Sequence, residues 1–328
     1  MVSHTDATIA HLSRAQQVGE LPAAASVFFG GGTPSRLPGH ELARILGTIP
    51  RTADAEVTVE CNPDTVSAEL FSTYRAAGVT RISFGVQSMV TSVLAALGRR
   101  HNPENVRVGV ELARAAGFAS FNLDLIYGGA RESIADWTST IEQVIELDPP
   151  HVSAYGLTVE AGTPLADDAT RWPDDDDQAD KYLIAEEKLG AAGLANYEIS
   201  NWARPGFECR HNWLYWMQGE YLGVGCAAHS HWNGRRFWNL RTPDRYVEAA
   251  RQGLSFEAAD ETLAAPAREI ERLQLLLRTR IGVPEGALSA ADQDELSELL
   301  IVNDGRISLN AAGRLLANEV AVRLRSAG

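Results

Sequence analysis

The sequence of 328 residues has only three cysteines: Cys61, Cys209 and Cys226. They lie far apart and form no C-x-x-C pair, which argues against a disulfide framework and against a zinc site of the common spacing. We therefore expect reduced thiols, with Cys209 and Cys226 as ordinary buried side chains.

Long apolar runs and positive charge are also scarce. The chain has no stretch of about 18 or more apolar residues and no short apolar segment behind basic residues at its N-terminus. This predicts neither a transmembrane helix nor a signal peptide, and so a cytoplasmic protein. The 29 Lys and Arg residues are outnumbered by 43 Asp and Glu, which leaves a net charge of −14. Since phosphate backbones need clustered basic residues, we expect no nucleic-acid partner.

The first half of the sequence alternates short apolar runs with amphipathic segments. The runs begin roughly every 25–40 residues, which is the length of a strand–helix crossover unit. The predicted strands are Ser26–Phe29, Glu56–Val59, Arg81–Val86, Ser120–Ile126 and His151–Leu157, and the predicted helices between them are Gly39–Leu46, Ser67–Ala77, Pro103–Ala116 and Ile134–Ile145. A further helix is predicted over residues 3–18, capped by Ser3 or Thr5. The pattern predicts an α/β fold, either a β/α barrel or an open parallel sheet.

The composition changes in the second half. Residues 196–239 are rich in glycine and aromatic residues, and the amino-acid composition changes again from about residue 245. The predicted elements are a helix over residues 173–192 with an acidic first turn, a helix over Pro266–Ile281, a hairpin over Leu300–Leu309 and a last helix over Ala311–Arg325. We therefore predict two domains: residues 1–244, and residues 245–328 as a small winged-helix-like α+β module for packing or docking.

Each predicted strand of the first half has polar or glycine residues at or near its carboxyl end. They are Gly30–Thr33, Glu60–Asn62, Gln87–Ser88, Asp124 and Thr158–Glu160. Because the carboxyl ends of parallel strands open on one face of the fold, we expect these groups to share one rim.

The segment GGGTP on this rim lets backbone amides approach a ligand, because no Cβ stands in the way. It matches neither G-x-x-x-x-G-K-[ST] nor G-x-G-x-x-G, and taken alone it fits a tight turn equally well. Glu60 and Asp124 can accept hydrogen bonds from ribose hydroxyls, while Gln87 can donate and accept. Arg99 can clamp a carboxylate. Together these groups describe a binding site for an amino-acid nucleoside.

Six motifs follow one another along the chain. They are GGGTPS (Gly30–Ser35), VECNP (Val59–Pro63), RISFGVQS (Arg81–Ser88), LGRRH (Leu97–His101), FNLDLIYG (Phe121–Gly128) and SAYGLTVE (Ser153–Glu160). In this order they resemble the radical S-adenosylmethionine family, and within it the oxygen-independent coproporphyrinogen III oxidase-like branch. The resemblance covers nearly the whole chain and implies a partial TIM-like β/α barrel without the first strand.

The resemblance also implies an S-adenosylmethionine site. Its methionyl end would contact Gly31, Gly32 and Thr33, its carboxylate and ribose would be held by Glu60, Gln87, Arg99 and Asp124, and its adenosine would lie beside Thr158 and the backbone near His229. For Glu60 and Asp124 the alternative is a structural role, as rim carboxylates hydrogen-bonded to loop amides. Gln87 and Arg99 have a structural alternative as well.

The segment HNWLYW (His211–Trp216) distinguishes two functions within this branch. A histidine beside tryptophan and tyrosine offers an axial ligand to haem iron and flat surfaces to a porphyrin. It matches the H-N-x-x-Y-W pattern of the branch's haem chaperones, which true coproporphyrinogen oxidases lack. The resemblance thus implies that His211 binds haem iron, ahead of the weaker candidates His229 and His231. Taken alone, His211 would be a structural histidine.

The expected function is haem binding and transfer to haem-dependent apoproteins such as respiratory enzymes, with membrane-associated proteins among the candidate recipients. The alternative is an enzyme, oxygen-independent oxidative decarboxylation of coproporphyrinogen III, which would begin at a propionate side chain.

A C-x-x-x-C-x-x-C motif is absent from the sequence. In this family that motif supplies three thiolates to a [4Fe–4S] cluster, so the cluster's cysteine ligands are missing here and we expect no radical chemistry from this chain. The helix over residues 3–18 resembles the one that follows the cluster loop. We expect a late start or a truncation in preference to a natural cluster-less relative, and both interpretations stay open.

Overall fold

The computed structural model describes residues 3–99 and 101–324, and its first half alternates helices with strands. In chain order these are α1 (His4–Gln17), β1 (Ala24–Phe29), α2 (Gly39–Gly47), β2 (Arg51–Cys61), α3 (Ala68–Ala77), β3 (Arg81–Gln87), α4 (Thr91–Ala96), α5 (Pro103–Ala115), β4 (Ser120–Tyr127), α6 (Ile134–Glu146) and β5 (His151–Gly156). All five predicted strands and the four helices between them are confirmed. Strand β2 is longer than predicted, and α4 is an addition.

Three more elements complete the main sheet: α7 (Asp175–Ala191), β6 (Ala195–Glu198) and β7 (Asn201–Ala203). The strand order is β1-β2-β3-β4-β5-β7-β6, with β1 to β5 parallel and the last two pairings antiparallel. The sheet curls into a half-barrel, which confirms the predicted partial β/α barrel. Strands β6 and β7 were not predicted, because runs of four and three residues carry too little periodicity to recognise.

Alternation along the strands separates an apolar outer face from a polar inner face. In β2, Val57 and Val59 are fully buried in the core formed with the outer helices, where Phe71 of α3 also lies. Their neighbours Thr58 and Glu60 project to the opposite, concave side, because successive strand residues point to opposite faces. The core therefore lies outside the curled sheet, and the chemically distinctive residues lie inside it.

The helices begin where the sequence offers caps. Ser3, one of the two predicted caps of α1, accepts a hydrogen bond from Asp6 N at 3.1 Å, and the Asp6 carboxylate accepts one from Ser3 N. Asp174 caps α7, whose first turn is acidic, as predicted. Among the helices of residues 3–99 and 101–324, none has both the length and the apolar character needed to cross a membrane.

A second, antiparallel sheet follows α8 (Arg210–Trp216). It consists of β8 (His229–Trp232), β9 (Arg235–Asn239) and β10 (Glu257–Thr262), with α9 (Pro243–Gln252) between the last two. Strand β10 pairs with β9 across the predicted domain boundary at residues 244 and 245, and α9 packs against α1 through Tyr246 and Ala7. The division of the chain at that position stays a prediction.

The C-terminal part has a core of its own. Its elements are α10 (Ala265–Leu277), β11 (Val283–Pro284), α11 (Ala290–Glu295), β12 (Leu300–Asn303), β13 (Arg306–Leu309), α12 (Ala311–Leu315) and α13 (Ala317–Arg323), with strand order β11-β13-β12. Leu273, Ile307 and Val320 meet in this core. The predicted hairpin is confirmed, with Asp304 and Gly305 at φ 50° and 72° in its turn.

Two predicted helices of this part were wrong in extent. The helix predicted to Ile281 ends at Leu277, because the chain then turns and Arg280 N donates to Tyr197 O of the barrel at 3.0 Å. The single helix predicted over Ala311–Arg325 is two helices that meet at Leu316, and Arg325 lies outside the described residues.

Candidate functional site

The carboxyl ends of β2 to β5 surround a cleft of about 390 Å³. Its lining residues are Glu60, Gln87, Asp124, Ile126, Tyr155, Gly156, Leu157 and Thr158. Four of the residues predicted for the nucleoside site are thus brought together from four strands. The sequence analysis did not single out Tyr155, although its position two residues after the inward-facing Ser153 would have placed it on the same face.

Glu60 lies at the edge of the cleft and is tied to the glycine loop after β1. The backbone N–H of Gly31 donates a hydrogen bond to its carboxylate. A Cβ at Gly30 would stand 3.2 Å from Glu60 Oε1 and 2.8 Å from Phe28 Cε1, so this position requires glycine. Burial, and then the nearby charge of Asp124, raise the pKa of Glu60 to about 7, against the Gly31 hydrogen bond. The site therefore holds a carboxyl that exchanges its proton near neutral pH.

Asp124 forms the floor of the cleft. Its carboxylate accepts hydrogen bonds from Ser83 Oγ and Asn122 Nδ2, both at 2.7 Å. Burial raises the pKa of Asp124, while these hydrogen bonds and the buried Arg81 oppose the rise. The neighbours of Asp124 therefore fix the orientation of its carboxylate, which can accept a hydrogen bond from a hydroxyl group in the cleft.

A chain of buried hydrogen bonds runs from this floor to α8. Asn122 Oδ1 accepts from His151 Nδ1 at 2.6 Å, and His151 Nε2 lies 2.9 Å from the Tyr197 hydroxyl. The hydroxyl of Tyr197 accepts from the backbone N–H of Cys209, the residue that precedes α8. Burial lowers the pKa of His151 well below its usual value, so this histidine is neutral. The cleft and α8 share one polar network.

Gln87 enters the cleft through an irregularity of β3. The register between β3 and β4 shifts between Gly85 and Gln87, and Gln87 has a φ of 65°. This bulge turns a side chain at the end of the strand into the cleft. A bulge of this kind is set by pairing with β4, so the sequence carried no local signal for it.

The remaining predicted residues are not among the lining residues of the cleft. Gly31, with a φ of 106°, and Gly32 are exposed on the loop after β1, and Thr33 is half-buried beside them. Arg99 is exposed after α4, and His229 lies on β8, where its ring stacks on Trp238 with 5.7 Å between centroids. Within the described residues, neither Arg99 nor His229 lines the cleft.

His211 lies apart from the cleft, on the first turn of α8, packed against β1. Its Nδ1 is 2.9 Å from Ser26 Oγ, and its ring stacks on Phe28 with centroids 5.2 Å apart and planes at 19°. Its Nε2 is 2.9 Å from the hydroxyl of Tyr215. Burial lowers the pKa of His211, and the negative charge of Glu56 opposes this effect. The histidine is therefore neutral and held in one orientation.

Glu56 holds the start of the same helix. Its carboxylate accepts hydrogen bonds from Cys209 Sγ, from Arg210 N at 3.2 Å and from His211 N at 3.1 Å. A negative charge at a helix N-terminus is favourable, because the first N–H groups have no partner within the helix. The sequence analysis missed Glu56, since nothing local distinguishes it from other carboxylates of β2.

The three cysteines do not converge. Cys61 is buried at the end of β2, where burial raises its pKa, and the same effect raises the pKa of Cys209 to about 11. Cys226 is half-buried in the loop before β8. Within residues 3–99 and 101–324, no three Cys, His, Asp or Glu side chains are arranged to hold a metal ion. These thiols therefore do not fit a [4Fe–4S] cluster.

The chain is similar in sequence to known proteins. Residues 8–144 match the Radical SAM superfamily. The chain is 41% identical over 314 residues to the heme chaperone HemW of Mycobacterium tuberculosis (strain ATCC 25618 / H37Rv), which covers 92% of this chain and 80% of that protein. It is 44% identical over 208 residues to the heme chaperone HemW of Escherichia coli (strain K12), covering 62% and 55% of the two chains.

A solved structure supports the fold. The coproporphyrinogen III oxidase HemN from Escherichia coli, described as a radical SAM enzyme, superimposes with a TM-score of 0.84 at 21% identity, over 97% of this chain and 81% of that chain. At this identity the likeness concerns the fold alone. The identity to HemW proteins over most of the sequence decides the family: the chain belongs to the HemW family of the Radical SAM superfamily.

Proposed function

We propose that this protein is a haem chaperone, which binds haem through His211 and passes it to haem-dependent apoproteins such as respiratory enzymes. The HemW relatives carry the name heme chaperone. The observation that carries the proposal is the setting of His211, whose two ring nitrogens have different partners.

A histidine ligates iron through a neutral ring nitrogen while the other nitrogen keeps its proton. Ser26 Oγ stands where it can accept the proton of His211 Nδ1, which leaves the lone pair on Nε2. Hydrogen bonding at the second nitrogen orients a ligating imidazole and raises its basicity. The stacking of the ring on Phe28 and the bond from its backbone to Glu56 further restrict its movement.

The surroundings of His211 suit a flat apolar cargo. Tyr215 and Met217, at the outer end of α8, are 41% and 50% exposed, and Trp213 and Trp216 are half-buried on the same short helix. Aromatic and thioether side chains of this kind pack against a planar conjugated ring. A porphyrin that docks here would cover apolar surface otherwise left in water.

We also assign the cleft to S-adenosylmethionine. Glu60 and Asp124 would accept from the ribose hydroxyls, Gln87 would complete the polar contacts, and Thr158 would lie beside the adenosine. The exposed backbone of Gly31 and Gly32, together with Thr33, would take the methionyl end. Arg99 for the carboxylate and the backbone near His229 for the adenosine are part of the same proposal. The proposal includes no radical step, because the thiols of the described residues do not fit a [4Fe–4S] cluster.

The proposal places haem transfer in the cytoplasm, with membrane-associated proteins among its candidate recipients. It is tested by titrating the chain with haemin and following the Soret absorption. His211→Ala should lower the affinity by roughly 10–100-fold, because even outer-shell partners of a metal ligand contribute that much. His40→Ala, at an exposed histidine of α2, is the matched control and should bind like the wild type. Equal affinity of the wild type and His211→Ala would contradict the proposal.

A further inference from the structure

The hydroxyl of Tyr215 lies 2.9 Å from Nε2 of His211, the nitrogen assigned above to haem iron. The two residues are four positions apart on α8 and so lie on the same side of the helix. We propose that Tyr215 is a gate over His211: its hydroxyl must leave Nε2 before haem iron can bind, and it returns to Nε2 when haem departs. This inference rests on the proposed function and concerns a residue that positions and regulates the iron ligand.

The geometry assigns the movement to Tyr215 and not to His211. Nδ1 of His211 is bonded to Ser26, its ring is stacked on Phe28, and its backbone N–H is bonded to Glu56. Turning the imidazole to present Nε2 elsewhere would break the first two of these contacts together. Within the described residues, the hydroxyl of Tyr215 has no hydrogen bond besides the one to His211.

Tyr215 is placed to swing away at small cost. Its side chain is 41% exposed, so the freed hydroxyl would exchange the imidazole for water. Its ring meets His211 and Tyr221 edge-on, with centroids 5.1 and 4.7 Å apart and planes at 87° and 82°. Such contacts are lost by rotation about the side-chain bonds of Tyr215, without any change in the backbone of α8.

The hydrogen bond and the iron compete for one electron pair. A neutral imidazole has a single unprotonated nitrogen, and with the proton of His211 on Nδ1 that nitrogen is Nε2. The phenol O–H of Tyr215 is a hydrogen-bond donor 2.9 Å from this nitrogen. Haem binding must therefore replace the hydrogen bond between Tyr215 and His211. When haem leaves, this hydrogen bond forms again and stabilises the haem-free protein, which favours release of haem.

The experiment removes the hydroxyl and keeps the ring. Tyr215→Phe should bind haemin roughly three- to tenfold more tightly than the wild type, since a net hydrogen bond of ordinary strength is lost from the unloaded state alone. Its association, followed by stopped-flow absorption, should be faster, and its spectrum should remain that of histidine-ligated haem. Tyr221→Phe is the matched control: it touches the ring of Tyr215 but is not bonded to His211 within the described residues, and should behave like the wild type.

The outcomes separate the gate from the function on which it rests. If His211→Ala leaves haemin affinity unchanged, the proposed function fails and the gate with it. If His211→Ala weakens binding but Tyr215→Phe binds no more tightly than the wild type, only the gate is overturned. A weaker or spectrally altered Tyr215→Phe complex would also overturn it, because the hydroxyl of Tyr215 would then contact haem or bind its iron in the loaded state. Tighter binding that disappears in the His211→Ala, Tyr215→Phe double variant supports the gate.

Discussion

The carboxylate of Glu56 on β2 accepts a hydrogen bond of 3.1 Å from the backbone N–H of His211 on α8. Four residues further along the same strand, Glu60 reaches the cleft. Both project to the concave side of the sheet, because residues an even number of positions apart share a face. One strand therefore supports the proposed haem ligand at one point and the proposed nucleoside site at another.

Glu56→Ala should loosen α8 and weaken haem binding. The variant leaves three donors at the start of the helix without their acceptor. We expect a loss of about 1.5–3 kcal/mol in the free energy of unfolding, the range for hydrogen bonds to a charged group, and a weaker haemin complex. Urea unfolding and haemin titration measure the two effects. Asp54→Ala, at an exposed carboxylate of β2 that pairs with Arg210, is the control and should change stability by less than about 1 kcal/mol.

Glu60→Ala should weaken the binding of S-adenosylmethionine. A charged acceptor lost from a cleft contributes about 1.5–3 kcal/mol, which corresponds to a tenfold or greater rise in the dissociation constant. Isothermal titration calorimetry measures the dissociation constant of S-adenosylmethionine for the wild type and the variant. Glu104→Gln, at an exposed position of α5, should bind like the wild type. Unchanged binding by Glu60→Ala would remove this residue from the assignment.

The stability of the protein should fall with rising pH on account of Glu60. In the unfolded chain its carboxyl ionises near pH 4.5, whereas in the folded chain its pKa is about 7 because of burial and the charge of Asp124. The folded state thus binds the extra proton between these values, so the stabilisation is complete below pH 4.5 and is lost as the pH rises through 7. The Glu60→Gln variant has no ionisable group at this position, so its stability should not carry this pH dependence. Between pH 5 and 8 the wild type should lose about 2–3 kcal/mol more than the variant in urea unfolding. Parallel pH profiles of the two proteins would show that Glu60 ionises normally.

Lys181→Met should destabilise the protein strongly. The side chains of Lys181 and Glu132 are both fully buried, with Nζ 3.3 Å from Glu132 Oε2, and the same carboxylate accepts from the backbone N–H of Gly128. Removing the ammonium group leaves a buried carboxylate without its counter-charge, at a cost of about 3–5 kcal/mol.

The double variant Lys181→Met, Glu132→Gln should recover most of this loss, because the fully buried carboxylate is then gone, and Asp177, the other partner of Lys181, is 36% exposed and can be solvated. Lys188→Met breaks an exposed pair with Glu142 and serves as the control, with an expected change below about 1 kcal/mol. All three variants are compared by urea unfolding. If the double variant were as unstable as the single one, charge burial would not be the cause.

Some of the candidate site could be read from single strands, and some could not. Glu60 and Asp124 follow apolar runs whose parallel packing places their ends on one face, so their meeting could be predicted. The bulge at Gln87 could not, because it depends on pairing with the neighbouring strand, whereas the alternation of β5 would have placed Tyr155 on the face of Ser153. The contact between Ser26 and His211 joins residues 185 positions apart, and no local sequence pattern predicts it.

Local apolar periodicity and turn residues such as Gly305 were enough to predict the five parallel strands, their crossover helices and the C-terminal hairpin. The folded chain was needed to show that Gln87 reaches the cleft through a bulge, that Glu56 of β2 holds the start of α8, and that the hydroxyl of Tyr215 lies 2.9 Å from Nε2 of His211. The reason is physical: periodicity is a property of neighbours along the chain, whereas burial, proton affinity and hydrogen-bond partners depend on atoms that only folding brings together.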